Sequence, residues 1–339
     1  MKRLLLLLPA VLLCGCAAAE PPLTKYQASF LTLFDTVTTV VGFAETEEAF
    51  LEQTQVLHDE LLEYHQLFDI YEEYPGINNL KTVNDHAGIA PVEVDERIIH
   101  LLLDCRDLYE RTGGKVNAAM GSVLKLWHDQ RTAALEDPAK ARLPRQEELL
   151  AAAEHTNFDT VLIDEEASTV YLSDPLQRLD VGAIAKGWAV EQVCRRAPEG
   201  LLLSVGGNVR ATGPRGLDGS PWVVGIQDPD GEQEDYLHTL SVFNGSVVSS
   251  GDYQRYFTVD GRRYHHIIDP DTLHPAAYWR SVTVICADSG QADALSTALF
   301  TLPLEQGRAL AAEFGAQAMW MDAEGTLYYT GDFRSHIRT

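Results

Sequence analysis

The amino-acid sequence predicts an α+β fold of antiparallel sheets packed with helices, on three observations. Short β-branched stretches recur in close pairs, and one pair flanks Asp260-Gly261, a strong hairpin turn. Two long segments, 45–71 and 95–112, carry apolar residues at helical spacing. Helices and hairpins are grouped rather than strictly alternating, which argues against a doubly wound parallel sheet. The 339 residues allow about two domains or one large one, and no composition shift marks a boundary.

The elements follow in chain order. Thr36 to Phe43 alternates and is β-branched, so it reads as a strand. From Glu45 to Tyr71, Phe50, Leu57, Leu61, Tyr64 and Phe68 recur on one helical face, with acids concentrated at the start. Asp95 to Thr112 is a second helix, stopped by Gly113-Gly114. Residues 131–148 are charged and Pro-punctuated, and read as a loop or short helices. Residues 160–163 and 169–172 form a hairpin, 186–197 a short helix, and 201–205, 222–227 and 236–243 strands. Strands 255–259 and 264–268 flank the Asp-Gly turn. A buried strand 281–286 precedes a helix over 291–302, and a hairpin of 317–321 with 326–330 closes the chain.

Composition narrows the function. Lys and Arg total 26 against 50 Asp and Glu, a net charge of −24. Such a surface repels phosphate backbones, so nucleic acid is excluded as a partner. Gly 25 and Pro 15 are too few for a collagen-like or low-complexity chain. The chain opens Met1-Lys2-Arg3 and then runs apolar from Leu4 to Leu13, which reads as a signal peptide. That run is too short to cross ~30 Å of hydrocarbon as a helix. Leu13-Cys14-Gly15-Cys16 resembles a bacterial lipobox, with cleavage before Cys16 and lipidation of its thiol. The expected organisation is a lipoprotein signal peptide at 1–15, a tether at 16–28 and one catalytic domain at 29–339. The mature chain is then near −26, so membrane attachment rests on the lipid rather than on a basic patch. Cys105, Cys194 and Cys286 lie far apart in apolar stretches and read as buried, inert thiols.

Four clusters carry possible chemistry. In Asp180-Val181-Gly182-Ala183-Ile184-Ala185-Lys186-Gly187, small residues let a ligand approach the backbone, and a helix start offers N–H groups to an anion. Lys186 there opposes the helix dipole, which calls for a negative partner, either a phosphate or Asp180. Ser204-Val205-Gly206-Gly207-Asn208-Val209-Arg210 fits a strand followed by a bulge or turn. In Tyr264-His265-His266-Ile267-Ile268-Asp269-Pro270, strand alternation places His266 and Ile268 on one face and His265 on the other. A neutral imidazole there can accept a hydroxyl proton. Asp293 and Thr297 stand at i and i+4 on one helix face and offer two hard oxygens that suit Mg²⁺. Each cluster taken alone also fits an ordinary turn, cap or core position.

Taken together and in this order, the four clusters resemble the ApbE family of FAD:protein FMN transferases, over about residues 34–331. The resemblance implies a tunnelling-fold-like flavin transferase architecture with antiparallel sheets and packed helices. It implies Mg²⁺-dependent transfer of the FMN half of FAD to a threonine hydroxyl of a target flavoprotein through a phosphoester, with release of AMP. The alternatives are an FAD pyrophosphatase that yields FMN and AMP, and a non-catalytic flavin-binding lipoprotein. The expected acceptor carries an Asp/Ser-Gly-Ala/Ser-Thr motif in a membrane redox complex or an extracytoplasmic flavoprotein. The expected location is the outer face of the cell membrane, through the lipid anchor. The nearest internal approach to that motif, Asp218-Gly219-Ser220-Pro221, lacks the threonine, so the flavin passes to another protein.

Residue by residue, the resemblance implies that Asp293, Thr297 and the backbone carbonyl of Ala183 hold the metal. His266 assists transfer, with a carboxylate acting with the metal as the alternative base. Asp180, Lys186 and Ile268 contact FAD, and Tyr71 stacks on the nucleotide. Phe34, Ala118, Ala119 and Met120 complete the FAD lining. The chain departs from the family at Phe34-Asp35-Thr36, where many members carry Met-Gly-Thr, and near Asn117-Ala118-Ala119, where many carry Asp-x-Thr.

Overall fold

The structure is a computed structural model and describes residues 23–216, 218–231 and 235–338. The expected signal segment and Cys16 lie outside the described residues. Eight strands form one sheet whose spatial order follows chain order: Thr24–Leu33, Thr36–Ala44, Leu202–Val205, Asn208–Ala211, Gly245–Gly251, Ser281–Cys286, Gln317–Met321 and Leu327–Tyr329. Every neighbouring pair in it is antiparallel. Pairing each strand with its predecessor keeps connections simple, and the intervening segments leave the sheet as excursions. The α+β reading therefore holds.

The excursions build the layers. Helices Glu47–Phe68, Ala185–Cys194 and Ser289–Phe300 pack with the sheet around one core. Phe50, Leu57 and Leu61 meet Val40, Leu203, Val282, Val284, Leu295 and Leu299 there. Each such side chain contributes about 1.5–3 kcal/mol when fully buried. A second core forms where the Trp222–Gln227 and Tyr236–Val242 hairpin brings Trp222, Ile226 and Leu240 against Ala211, Val247 and Met319. A third, smaller cluster joins Met120 and Trp127 to Phe257, Ile268 and Leu273. The Trp127 indole N–H donates to the Leu273 carbonyl at 2.9 Å and pins this cluster.

The structure corrects three expectations. Residues 24–28, expected as tether, belong to the strand Thr24–Leu33, because Tyr26, Ala28 and Phe30 alternate onto the core. That strand turns into the next through Phe34 and Asp35, both at φ +52°, a left-handed turn that usually calls for Gly or Asn. Residues 131–136, expected within a loop or short helices, are instead the end of the long helix Gly121–Glu136, while Gln146–Ala153 is a short helix as expected. Its start lacks a side-chain cap and begins at Gly121, where a β-carbon would crowd the Arg178 backbone. The strand expected to run through Ile268 ends at His265. The other predicted elements form within a few residues of their expected bounds.

Candidate active site

A cavity of about 600 Å³ lies between the main core and the Trp127 cluster, within the range of small-molecule sites. Its walls come from segments far apart in sequence. Phe34, Tyr71, Met120, Asp180, Ala183, Lys186, His266, Ile268, Asp293 and Thr297 all line it. Ala118 and Ala119 do not, which corrects their expected place in the lining. Both are buried, and the Ala118 carbonyl accepts from the Asp180 N–H at 2.8 Å, so that stretch braces the wall rather than facing the cavity.

Asp293 is the hinge of the arrangement. Asp288 caps the helix Ser289–Phe300 by accepting from the Gln291 N–H at 2.9 Å. That fixed start aims Asp293, only 5% exposed, at the beginning of the helix Ala185–Cys194. Its Oδ2 accepts from the Gly187 N–H at 2.9 Å and lies 3.4 Å from the Lys186 ammonium. A carboxylate at a helix N-terminus is favoured by the dipole, and it also neutralises the misplaced lysine. Lys186 thus pairs with Asp293, 107 positions away, rather than with Asp180. Among the described residues no hydrogen bond falls on Oδ1 of Asp293, which leaves that oxygen to the cavity. Thr297 follows one turn later, and both line the cavity with Ala183.

Asp180 is held differently. Its Oδ1 accepts from the Gly182 N–H at 2.9 Å, while burial raises its carboxyl above the usual range. Tyr71 stacks on His128 with centroids 5.0 Å apart, and burial, then Asp180, push the phenol up to about 12. The Tyr71 hydroxyl is therefore a neutral group at any physiological pH.

The two histidines of the third cluster have separate fates. His265 is buried, with Nε2 2.9 Å from the Ala276 carbonyl and Nδ1 accepting from the Ile267 N–H. Those partners fix a neutral tautomer with its proton on Nε2. His266 opens to the cavity. Its Nδ1 lies 3.2 Å from the Arg255 carbonyl, which can only accept, so the proton sits on Nδ1 and the Nε2 lone pair is free. Surrounding protein, then Arg255, His265, Lys186 and Arg131, depress its basicity well below the ordinary imidazole.

Sequence reasoning named Asn208 only within its motif and missed Arg131, His128 and Arg255, which also line the cavity. Asn208 is held by Ser289, whose hydroxyl donates to Oδ1 at 2.6 Å, and Ser289 N–H in turn donates to Glu191 at 2.9 Å. Arg210 completes the chain on Glu191 at 3.0 Å. Arg131 sits in a charged run that gives no local sign of facing a cavity.

An antiparallel α+β fold with a carboxylate, a hydroxyl, a lysine and a neutral imidazole around one cavity defines a site suited to phosphate-ester chemistry. Residues 34–320 match the ApbE family, and the chain belongs to that family. The FAD:protein FMN transferase of Treponema pallidum is 37% identical over 260 residues, covering 71% of this chain and 70% of that one. The FAD:protein FMN transferase of Klebsiella pneumoniae is 33% identical, covering 74% and 78%. The crystal structure of the ApbE protein from Thermotoga maritima superposes with a TM-score of 0.81 at 30% identity, covering 93% of this chain and all of that one.

Proposed function

We propose that this chain transfers the FMN half of FAD to a threonine hydroxyl on a separate protein and releases AMP, with Mg²⁺ bound. The observation that carries the reading is the meeting of Asp293, Thr297, Ala183, Lys186 and His266 around one cavity. The relatives' activity as FAD:protein FMN transferases supports it.

The donor set suits magnesium. Among the described residues no three His, Cys, Asp or Glu side chains gather into a metal cage. Mg²⁺ does not ask for one: it keeps waters and binds through one or two carboxylates plus substrate phosphates. Asp293 Oδ1, the Thr297 hydroxyl and the Ala183 carbonyl would hold it. When bound, it neutralises charge on the diphosphate.

In the transfer, the threonine oxygen attacks the FMN-side phosphorus and its bond to the bridging oxygen breaks. The electron pair leaves on the AMP phosphate. The threonine proton passes to Nε2 of His266, whose Nδ1–H stays on the Arg255 carbonyl. Lys186 balances phosphate charge, and Asp180 and Gly182 shape the turn beside it. Little covalent help is needed, so positioning carries most of the rate.

The acceptor is a protein bearing an Asp/Ser-Gly-Ala/Ser-Thr motif, reached outside the cytoplasmic membrane through a lipid on Cys16. The test incubates the chain with FAD, Mg²⁺ and such an acceptor and weighs the acceptor. An added FMN mass is the expected result. FMN and AMP without acceptor labelling would mean hydrolysis, and intact FAD would mean binding alone.

A further inference from the structure

Arg131 and Arg255 both line the cavity, and among the described residues neither forms an ion pair with a carboxylate. The two lysines there, Lys115 and Lys186, are matched. Lys186 lies beside Asp293, and Lys115 lies 2.8 Å from both Asp269 and Asp271. The Nε of Arg131 is buried and has no hydrogen-bond partner. Among the described residues its side chain has one hydrogen-bonding contact, His128, whose Nδ1 lies 3.4 Å from Nη2. A guanidinium whose Nε is buried without a partner is costly unless an anion completes it, and Arg255, more exposed, stands beside Arg131 to share that anion. Burial first, and Arg255 second, disfavour the charged form of Arg131.

We propose that Arg131 and Arg255 form a second anion subsite that takes the phosphate on the adenosine half of FAD. This rests on the FAD reading above. A diphosphate brings two phosphates. Lys186, beside Asp293, serves the phosphate that is attacked. The other phosphate gains charge when the bridging bond breaks, and the two arginines are the cavity's unmatched cations. A planar guanidinium presents paired N–H donors to phosphate oxygens, and its charge stabilises a departing phosphate. The Tyr71–His128 stack lies against Arg131 and leaves the adenosine half an aromatic neighbour.

The test uses the full-length protein with Arg131→Gln, Arg255→Gln and the double variant. Binding of AMP, adenosine and riboflavin is measured by calorimetry and flavin fluorescence, with thermal melts as the folding control. Each single change weakens AMP by about tenfold, the double change by more, while adenosine and riboflavin hold steady. Arg131→Lys restores part of the AMP affinity. Equal wild-type affinity for AMP and adenosine overturns the subsite, as does AMP binding unmoved by both changes. So does parallel loss of riboflavin, which would mean collapse of the cavity. Normal AMP binding with a raised KM for the acceptor also overturns it, because the arginines would then serve the acceptor's acid. AMP binding that follows the arginines in a chain that never labels an acceptor would keep the subsite and reject the transferase reading.

Discussion

The Oδ2 of Asp293 accepts a hydrogen bond from the backbone N–H of Gly187, 106 positions earlier, at 2.9 Å. One carboxylate thereby joins two helix starts and leaves its other oxygen to the cavity. Structure and chemistry are tied at this atom, and substitutions there must separate them. Asp293→Asn keeps an acceptor for Gly187 but loses the charge. It should melt near wild type and lose FMN transfer by about 100-fold or more. Asp293→Ala also strands the buried N–H, so it should lose a further 1–3 kcal/mol, on the order of an unsatisfied donor. Parallel urea melts and acceptor mass shifts check both. Full transfer by the Asn variant would remove the metal role.

Gly187 allows the close approach. A β-carbon there would crowd the Ser289 carbonyl and the Asp293 side chain and would stand 2.8 Å from Nδ2 of Asn208. Gly187→Ala should destabilise by about 1–3 kcal/mol and lower the affinity for FAD as the two helices part. A thermal melt with and without FAD tests this. An unchanged melting temperature would show that the helices have room to spare.

His266 predicts a pH signature. Its folded-state pKa lies below the ordinary 6.5, so below that pH the unfolded chain binds the proton that the folded ring refuses. Stability should therefore rise with pH up to about 6.5 and level off above it, and His266→Asn should flatten that rise. Transfer needs the neutral ring, so the acid limb of kcat should fall below 6.5 in wild type. A limb centred at 6.5 in FMN transfer would show an ordinary imidazole and remove His266 as the base described.

Glu191 is 5% exposed and accepts from Arg210, Arg195 and the Ser289 N–H. Through Ser289 it positions Asn208 beside Asp293. Glu191→Gln leaves the Arg210 guanidinium buried without its counter-charge and should cost about 3–5 kcal/mol. Replacing both partners by apolar residues should cost much less. Chemical denaturation of the single and double variants decides whether the pair acts as a unit.

Cys105, Cys194 and Cys286 are free and buried, and burial raises each thiol, Cys194 to about 12. Native protein should therefore react with a thiol reagent only on the timescale of unfolding. Fast labelling of even one thiol would mean an opening motion near it.

Much of this molecule is written locally. Period-two stretches such as Thr36–Ala44 and the Asp260-Gly261 turn announce their strands, because alternation and turn chemistry are short-range. The i, i+4 pair of Asp293 and Thr297 is legible for the same reason. The Phe34-Asp35 turn was not legible, since non-glycine residues at φ +52° are held there by the strands around them. The helix from Gly121 was hidden because its start depends on the backbone of Arg178. Likewise, nothing near Ala118 and Ala119 says that they lie behind the cavity wall.

The sequence by itself determined the α+β class, the order of the elements and the residue types able to hold a phosphate and move a proton. Periodicity and motif spacing are properties of neighbours along the chain. Only the tertiary structure decided which charges meet: Lys186 with Asp293, Arg131 and Arg255 with no carboxylate among the described residues, and His266 with Nδ1 on the Arg255 carbonyl. Charge pairing and burial depend on distances across the fold, which separation along the chain does not encode.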